Sequence, residues 1–321
     1  IIGTLITVSS NSWLGMWMGL EINLLSIIPL MSNIKNKMES EAAMKYFITQ
    51  ALASTALMLA MIIMLSNNDT LMKSHTHIIL DTAVLTKMGA APFHFWLPEV
   101  MEGLSWMNSA IMLTWQKIAP MIIFMHSMKS TMFSTMVIIA SMTISGLMGI
   151  NQTSMRKILA YSSINHIGWM IAALLTNQTL WSIYFIVYSL MTINMTLMFK
   201  IMNISHMNQL MNSMNNNKMT KMMFSMNFLS LGGLPPFIGF FPKWITINSL
   251  IQEKMFALTL MMIVLTLMSL VFYMRLSFTS MIMTTTETNK TDQPQNQMMI
   301  IKSNFIVLSM MSLCSMTTYF L

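Results

Sequence analysis

Residues 76–97 read THIILDTAVLTKMGAAPFHFWL, a run that is apolar enough to cross a bilayer yet carries Lys87 near its middle and Pro92 near its end. A membrane-spanning helix needs about 20 predominantly apolar residues. An ionised side chain at that depth costs roughly 3 kcal/mol or more, so charged residues within spans are functional candidates by default. Proline removes the hydrogen bond to the carbonyl four residues earlier. The segment therefore predicts a membrane helix that is broken close to a buried lysine.

The rest of the chain has the same character. Of its 321 residues, 55% are hydrophobic and 8% are charged, whereas about 25% of the residues in a soluble domain are charged. Applied throughout, the length rule predicts an all-α, polytopic membrane protein with about 11 transmembrane helices. The first is short and lacks an initiator Met, so we expect its beginning to be missing. The spans are expected at about 1–9, 11–32, 43–65, 76–97, 104–126, 131–150, 157–176, 179–202, 222–251, 255–277 and 303–321.

A second broken helix is predicted where the sequence reads GGLPP at residues 232–236, in the span that also carries Lys243. Pro235 and Pro236 leave the carbonyls of Leu231 and Gly232 without their helical partners. Irregular backbone at membrane depth is tolerated only where protein or a wet cavity satisfies it, and broken helices mark transport sites. The pattern therefore predicts a functional break beside Lys243.

Each of four predicted spans carries a charged residue near its middle: Glu21, Lys87, Lys117 and Lys243. At 1.5 Å of rise per residue, the first three lie roughly 15, 17 and 20 Å inside a hydrocarbon core of about 30 Å. Burial favours the neutral form of a lysine and a nearby carboxylate favours its charged form, so movement of Glu21 relative to Lys87 would bind and release a proton. Arginine would stay protonated. The pattern predicts a proton path; static ion pairs that join helices are the alternative.

Two histidines are weaker candidates for a proton relay. His166 and His94 lie within or beside predicted spans, and each is either a relay or a neutral residue satisfied by a neighbouring helix. Asp81 faces either the membrane interface or the buried charges. Glu99 and Glu102 follow a proline and are expected in a loop between helices.

Several classes of function are excluded by what the sequence lacks. Cys314 is its only cysteine, so neither a disulfide framework nor a cysteine metal site can form. We find no paired ligands at metal spacing and no glycine-rich phosphate loop in the required context. The net charge of +7 comes from scattered cations rather than a basic patch, which argues against nucleic acid. The chain is therefore expected to hold no redox centre of its own.

Basic residues outside the spans divide unevenly between alternate loops, which is the orientation signal of membrane proteins. The even-numbered loops carry eleven and the odd-numbered loops three. This predicts that the N-terminus lies inside and the C-terminus outside. The eleven are Lys35, Lys37, Lys45, Arg156, Lys157, Lys200, Lys218, Lys221, Arg275, Lys290 and Lys302; the three are Lys73, Lys129 and Lys254.

Four motifs together resemble the antiporter-like subunits in the membrane arm of respiratory complex I, in their animal mitochondrial form. They are LGMWMGLEIN at 14–23, KMGAAPFHFWLPE at 87–99, TWQKIAP at 114–120 and LGGLPPF at 231–237. The similarity runs over essentially the whole chain, and the segment 87–99 is its most specific part. It implies one transmembrane domain of two inverted five-helix repeats, each with one broken helix, at about 1–126 and 131–277, followed by a helix at 303–321.

The resemblance also implies roles for the buried charges. Glu21 and Lys87 would form the coupled pair, Lys117 the central relay, and Lys243 the group toward a neighbouring subunit. Asp81 is no part of this pattern. The chain would couple quinone reduction to proton translocation in the mitochondrial inner membrane, with its N-terminus on the matrix side and its C-terminus in the intermembrane space.

Partners and cofactors follow from the same resemblance. NADH, FMN, Fe–S clusters and ubiquinone would be bound by other subunits of the complex, and this chain would contact neighbouring antiporter-like subunits and phospholipids. Two alternatives stay open from the residues alone. One is a freestanding cation/proton antiporter, and the other is a scaffold subunit whose buried charges serve assembly.

Overall fold

The computed structural model describes residues 1–33, 36–66, 70–128, 130–214, 218–235 and 237–282, which are almost entirely helical. Strand pairing in these ranges is limited to an isolated bridge between Ser154 and His206. Six of the described helices are long and apolar enough to cross a membrane. An all-helical chain with membrane-spanning segments is thus confirmed, while the number of spans and the inverted repeats stay predictions. The expected helix at 303–321 lies outside the described residues.

The chain folds into two compact units, the first of which is Ile1–Ser141. In it α3 packs along α2, α4 and α5, and α7 packs against α1, α2, α4 and α6. Large apolar side chains such as Leu25, Leu52 and Ile62 stay exposed, as expected of helices that face lipid. The helices of this unit are α1 (Ile2–Ser9), α2 (Trp13–Met31), α3 (Lys37–Ser66), α4 (Thr70–Met88), α5 (Trp96–Gly103), α6 (Trp106–Leu113) and α7 (Trp115–Ser127).

The second unit begins at Met142, within α8 (Thr131–Ile150). At its centre is α9, which is buried along nearly its whole length and packs against α10, α13 and α14. The side chains that it buries are mostly apolar but include the polar residues Ser162, Ser163, Asn165 and His166. The other helices are α9 (Met155–Thr176), α10 (Gln178–Met202), α11 (Met207–Met214), α12 (Lys218–Gly232), α13 (Phe240–Gln252) and α14 (Phe256–Ile282).

Both predicted breaks are present. The first span ends as α4 at Met88, and the chain resumes a helix only at Trp96, after Gly89 with φ of +75°. The second ends as α12 at Gly232, and α13 begins at Phe240. Pro92 lies in the irregular segment of the first break and Pro235 in that of the second, as the loss of their backbone donors requires.

Three details of the prediction were wrong. The span 104–126 is not one helix, because α6 and α7 meet at Thr114, whose hydroxyl bonds back to the Ala110 carbonyl at 2.8 Å. Such back-bonding bends helices. Helix α3 begins at Lys37 rather than at residue 43, with Glu39 in its first turn, where a negative charge complements the helix dipole.

Glu99 and Glu102 were expected in a loop but belong to α5. Glu99 lies 3.0 Å from Lys45 of α3, which also pairs with Glu41 at 3.0 Å. These side chains are largely exposed. Exposed ion pairs contribute little stability, about 0–1 kcal/mol each. Glu99 is therefore a surface group rather than a member of the buried charge series, and Glu102 of the same helix is half-buried.

Candidate functional site

Lys87 lies in the last turn of α4, directly before the first break, and its side chain is buried. The carbonyls at this helix end receive donors from side chains. The Trp96 indole N–H donates to the Thr86 carbonyl at 2.9 Å, and the Gln50 amide reaches the Lys87 carbonyl at 3.5 Å. Protein groups thus satisfy the irregular backbone at this point, which is the condition for its presence within a membrane.

Lys117 lies in the first turn of α7, three residues after the interruption at Thr114. Its side chain is among the largest fully buried ones of the chain, with 2% of its surface exposed. Pro120 follows within the same helix, so the Gln116 carbonyl lacks the backbone donor that a regular helix supplies. The sequence order of lysine and proline therefore places the buried amine beside backbone that is free to bond to side chains or water.

Lys87 and Lys117 line the same small cavity inside the first unit. The cavity offers about 20 Å³ to water, enough for roughly one molecule, which needs some 10–15 Å³ by this measure. Its polar wall is completed by side chains from three helices. These are Asn23 of α2, Tyr46 and Gln50 of α3, and Gln116 of α7.

Asn23 and Gln116 join α2 to α7 through a reciprocal pair of hydrogen bonds. The Asn23 amide donates to Gln116 Oε1 at 3.0 Å, and the Gln116 amide donates to Asn23 Oδ1 at 3.2 Å. Gln116 directly precedes Lys117, and Asn23 follows Glu21 by two residues. The pair therefore fixes the helix of the glutamate against the helix of the central lysine.

Glu21 is less enclosed than the lysines. It is half-buried on α2 and lines an open groove between α2 and α3. Trp17 of α2 and Ser54 and Met58 of α3 line the same groove. Its carboxylate acts electrostatically on the Lys87 amine. Both residues lie in the described part of the chain, where their side chains form no ion pair within 4.0 Å. The coupling predicted for Glu21 and Lys87 would therefore act through space rather than through a direct contact.

Lys243 is held by the backbone of the second break. Its Nζ donates to the Gly232 carbonyl at 2.9 Å, one of the two carbonyls that the prolines were predicted to free, and lies 5.8 Å from the centre of the Trp169 ring. A Cβ on Gly233, where φ is +78°, would lie 2.8 Å from Lys243 Cδ and Nζ. Glycine is thus required for both its conformation and its space.

The two histidines occupy different environments. His94 is buried, and its Nδ1 lies 3.3 Å from the Pro92 carbonyl within the first break. His166 is buried in α9 of the second unit, where its Nδ1 is 2.9 Å from the Tyr184 hydroxyl and its ring packs on Tyr188. The hydroxyl of Tyr184 is able to donate or accept in this bond, so it suits either ring tautomer.

Sequence reasoning missed Asn23, Tyr46 and Gln50 around the buried lysines, and Tyr184 beside His166. The available signal was their presence within apolar spans, because a polar side chain at membrane depth requires a partner. Among the described residues, we find no group of three His, Cys, Asp or Glu side chains that could hold a metal ion. The arrangement that the structure does bring together is a pair of buried amines around a cavity lined by amides.

Comparison with known proteins confirms the family that the four motifs indicated. Residues 10–269 match the family described as NADH:quinone oxidoreductase/Mrp antiporter, TM. The chain is 50% identical over 283 residues to NADH-ubiquinone oxidoreductase chain 2 of Anopheles gambiae, a match that covers 87% of this chain and 82% of the relative. The protein of the same name from Locusta migratoria is 46% identical over 289 residues, or 88% and 83% of the two chains.

A solved structure supports the same assignment at the level of the fold. A chain of respiratory complex I from Thermus thermophilus with bound Aureothin aligns with a TM-score of 0.85 and 22% identity, over 96% of this chain and 75% of that one. The chain belongs to the NADH:quinone oxidoreductase/Mrp antiporter transmembrane family, and within it to the NADH-ubiquinone oxidoreductase chain 2 proteins.

Proposed function

We propose that this chain is a membrane-arm subunit of the proton-pumping NADH:ubiquinone oxidoreductase, and that it couples quinone reduction in other subunits to proton movement through its buried charges. The observation that carries the proposal is that Lys87 and Lys117, from two different helices, line one cavity with room for water. Buried amines around an amide-lined space with room for water are suited to exchanging protons rather than to packing.

Electrostatic interactions would couple the protonation states of the two cavity lysines. Two ammonium groups at one site of low polarity repel each other, so a proton on Lys87 disfavours a proton on Lys117. The Glu21 carboxylate opposes this effect at Lys87, because it attracts that amine. A change in the position or charge of Glu21 therefore shifts the protonation equilibrium of Lys87. The change of charge on Lys87 then shifts the protonation equilibrium of Lys117.

In the second unit, Lys243 is the proposed group toward a neighbouring antiporter-like subunit, with His166 as a relay. The supporting geometry is the Lys243 bond to the Gly232 carbonyl and the His166 contact with Tyr184. A neutral lysine can give up its bond to a carbonyl, whereas a charged one strengthens it. His94, at the first break, is the corresponding relay candidate in the first unit.

The proposal assigns the redox chemistry to the rest of the complex. NADH, FMN, Fe–S clusters and ubiquinone are bound by other subunits, and this chain contacts neighbouring membrane-arm subunits and phospholipids. It lies in the mitochondrial inner membrane as two inverted repeats with about 11 spans. The excess of basic residues in the even loops supports a matrix N-terminus and an intermembrane-space C-terminus.

The test compares three lysine-to-methionine substitutions in the assembled complex. Lys87→Met and Lys117→Met remove the cavity amines, and Lys45→Met removes a surface amine as the matched control. We expect the first two to assemble and to lose quinone reductase turnover and proton pumping by roughly tenfold or more, the scale of a proton-transferring group. The control should keep both activities.

Two results would count against this function. Full turnover with an unchanged ratio of protons to electrons in both cavity variants would mean that the buried amines carry no protons. Absence of the assembled complex on native gels, with normal turnover in whatever complex remains, would favour the scaffold function instead.

A further inference from the structure

A buried acid stands outside the charge series described so far. Asp81 of α4 has 1% of its surface exposed, and its Oδ1 accepts a hydrogen bond from the hydroxyl of Ser127, a fully buried residue of α7. A carboxylate at membrane depth is as costly as a lysine there, roughly 3 kcal/mol or more. A single hydroxyl donor does not replace the hydration that such a charge loses. Packing of α4 on α7 alone would be served better by an apolar residue.

The hydrogen bonds of Ser127 suit both protonation states of this acid. Its Oγ lies within bonding distance of Asp81 and also 3.1 Å from the Phe124 carbonyl. When Asp81 is ionised, the hydroxyl donates to it. When Asp81 is protonated, the acid donates to Ser127 Oγ, and the hydroxyl turns to the Phe124 carbonyl. Both states are therefore satisfied without movement of heavy atoms.

The position of the pair relates it to the lysine cavity. Asp81 precedes Lys87 by six residues, about 9 Å along α4, and Ser127 follows Lys117 by ten, about 15 Å along α7. The two helices pack together, so Asp81 and Ser127 lie on one side of the cavity, toward the start of α4 and the end of α7. In the orientation of the proposed function, this side faces the intermembrane space.

Another titratable group lies beyond Asp81, toward the start of α4. His77 stands one turn before Asp81 and is half-buried, and residues four apart share a helix face. The charged and titratable groups of α3, which also packs against α4, are concentrated in its first three turns. Gln50 of α3 reaches the Lys87 carbonyl, so these α3 groups, Lys37, Glu39, Glu41, Lys45 and Tyr46, lie beyond the Lys87 end of α4 and away from Asp81. The titratable groups of α4 and α7 at described positions are His77, Lys87, Lys117 and His126.

We propose that Asp81, held by Ser127, accepts protons that leave the Lys87–Lys117 cavity and passes them through His77 toward the outer membrane face. This inference rests on the proposed function. In the transfer an ammonium N–H bond breaks and a carboxyl O–H bond forms, which leaves both groups neutral. The proton then moves to His77 or water, and the carboxylate is restored. Because the separation exceeds a direct hydrogen bond, water links the cavity to Asp81.

The experiment uses the assembled complex in liposomes with Asp81→Asn, Asp81→Glu, Ser127→Ala and Lys117→Met. Thr82→Val is the control, because it removes a half-buried hydroxyl from the next position of α4. Three quantities are measured: quinone reductase turnover, protons pumped per electron, and the carboxyl C=O band in reduced-minus-oxidised infrared spectra. We expect Asp81→Asn to lose turnover and the band, Asp81→Glu to restore both, Ser127→Ala to shift the band, and Thr82→Val to change none of them.

The outcomes separate this inference from the function on which it rests. Normal turnover, normal pumping and an unchanged spectrum in Asp81→Asn overturn it, and a simultaneous loss of pumping in Lys117→Met leaves the proposed function standing. If Asp81→Asn does not assemble, the spectra of the wild type and Ser127→Ala decide. A carboxyl band that shifts in Ser127→Ala supports the inference. Absence of the band from the wild type, or the same band frequency in the wild type and Ser127→Ala, overturns it.

Discussion

The three buried lysines are held in different ways, and this difference determines how each can respond to a charge. Lys243 has a fixed backbone acceptor and an aromatic neighbour, whereas Lys87 and Lys117 border a cavity. A fixed acceptor defines one position for the amine, while a cavity that can hold water offers several. We therefore expect the geometry around Lys243 to tolerate less change than that around Lys87.

This sensitivity can be tested at Gly233. Alanine there must adopt φ of +78°, which costs an L-residue roughly 1–2 kcal/mol, and its Cβ would displace the Lys243 side chain. We expect Gly233→Ala to lower quinone reductase turnover and the temperature of heat inactivation. Gly232→Ala is the matched control, because the nearest neighbour of its Cβ, a Tyr273 ring carbon, is 3.6 Å away. Equal effects of both substitutions would contradict the role given to this turn.

At the scale of helices, the junction of α2 with α7 joins the helix that carries Glu21 to the helix that carries Lys117. Asn23 and Gln116 hold it with two hydrogen bonds between buried or half-buried amides. The Tyr46 hydroxyl also reaches Gln116 Oε1, at 3.5 Å. Because lipid supplies no hydrogen-bond partners, the amides depend on each other for satisfaction.

A double-mutant cycle measures this junction. Asn23→Leu or Gln116→Leu alone leaves one amide without its partner, at a cost of about 1–3 kcal/mol, whereas replacing both by apolar groups is close to neutral. We expect each single variant to inactivate at a lower temperature than the wild type and the double variant to recover most of the loss. Strictly additive losses would show that the two side chains act independently.

The same elements indicate what sequence alone can provide. The breaks before Pro92 and at Gly232 were predictable, because proline acts on its own helix through a bond that it cannot make. The bend at Thr114 was not, since threonine is common in helices and bends them only when its hydroxyl bonds backward. The cavity could not be predicted from the sequence either. Asn23, Gln50 and Gln116 are far apart in sequence, and only packing brings them together around Lys87.

At the scale of the whole molecule, the function depends on which membrane face each loop occupies, since a pump moves protons from one face to the other. The uneven distribution of basic residues predicts that the loop after α10 lies inside and the loop after α9 outside. Both loops belong to the second unit and connect successive helices, so they must lie on opposite faces if α10 spans the membrane.

Single cysteines can report these positions. Asn177→Cys places a cysteine in the loop after α9, and Asn208→Cys places one in the segment after α10. Both asparagines are exposed, and the Asn177 side chain makes no hydrogen bond that caps α10. In a background with Cys314→Ser, we expect an impermeant maleimide to label Asn177→Cys in mitoplasts, whose outer face is accessible, and Asn208→Cys only in inside-out vesicles. The opposite labelling pattern would show that the orientation is the reverse of the predicted one. Asp81 would then lie toward the matrix and would serve proton uptake instead of release.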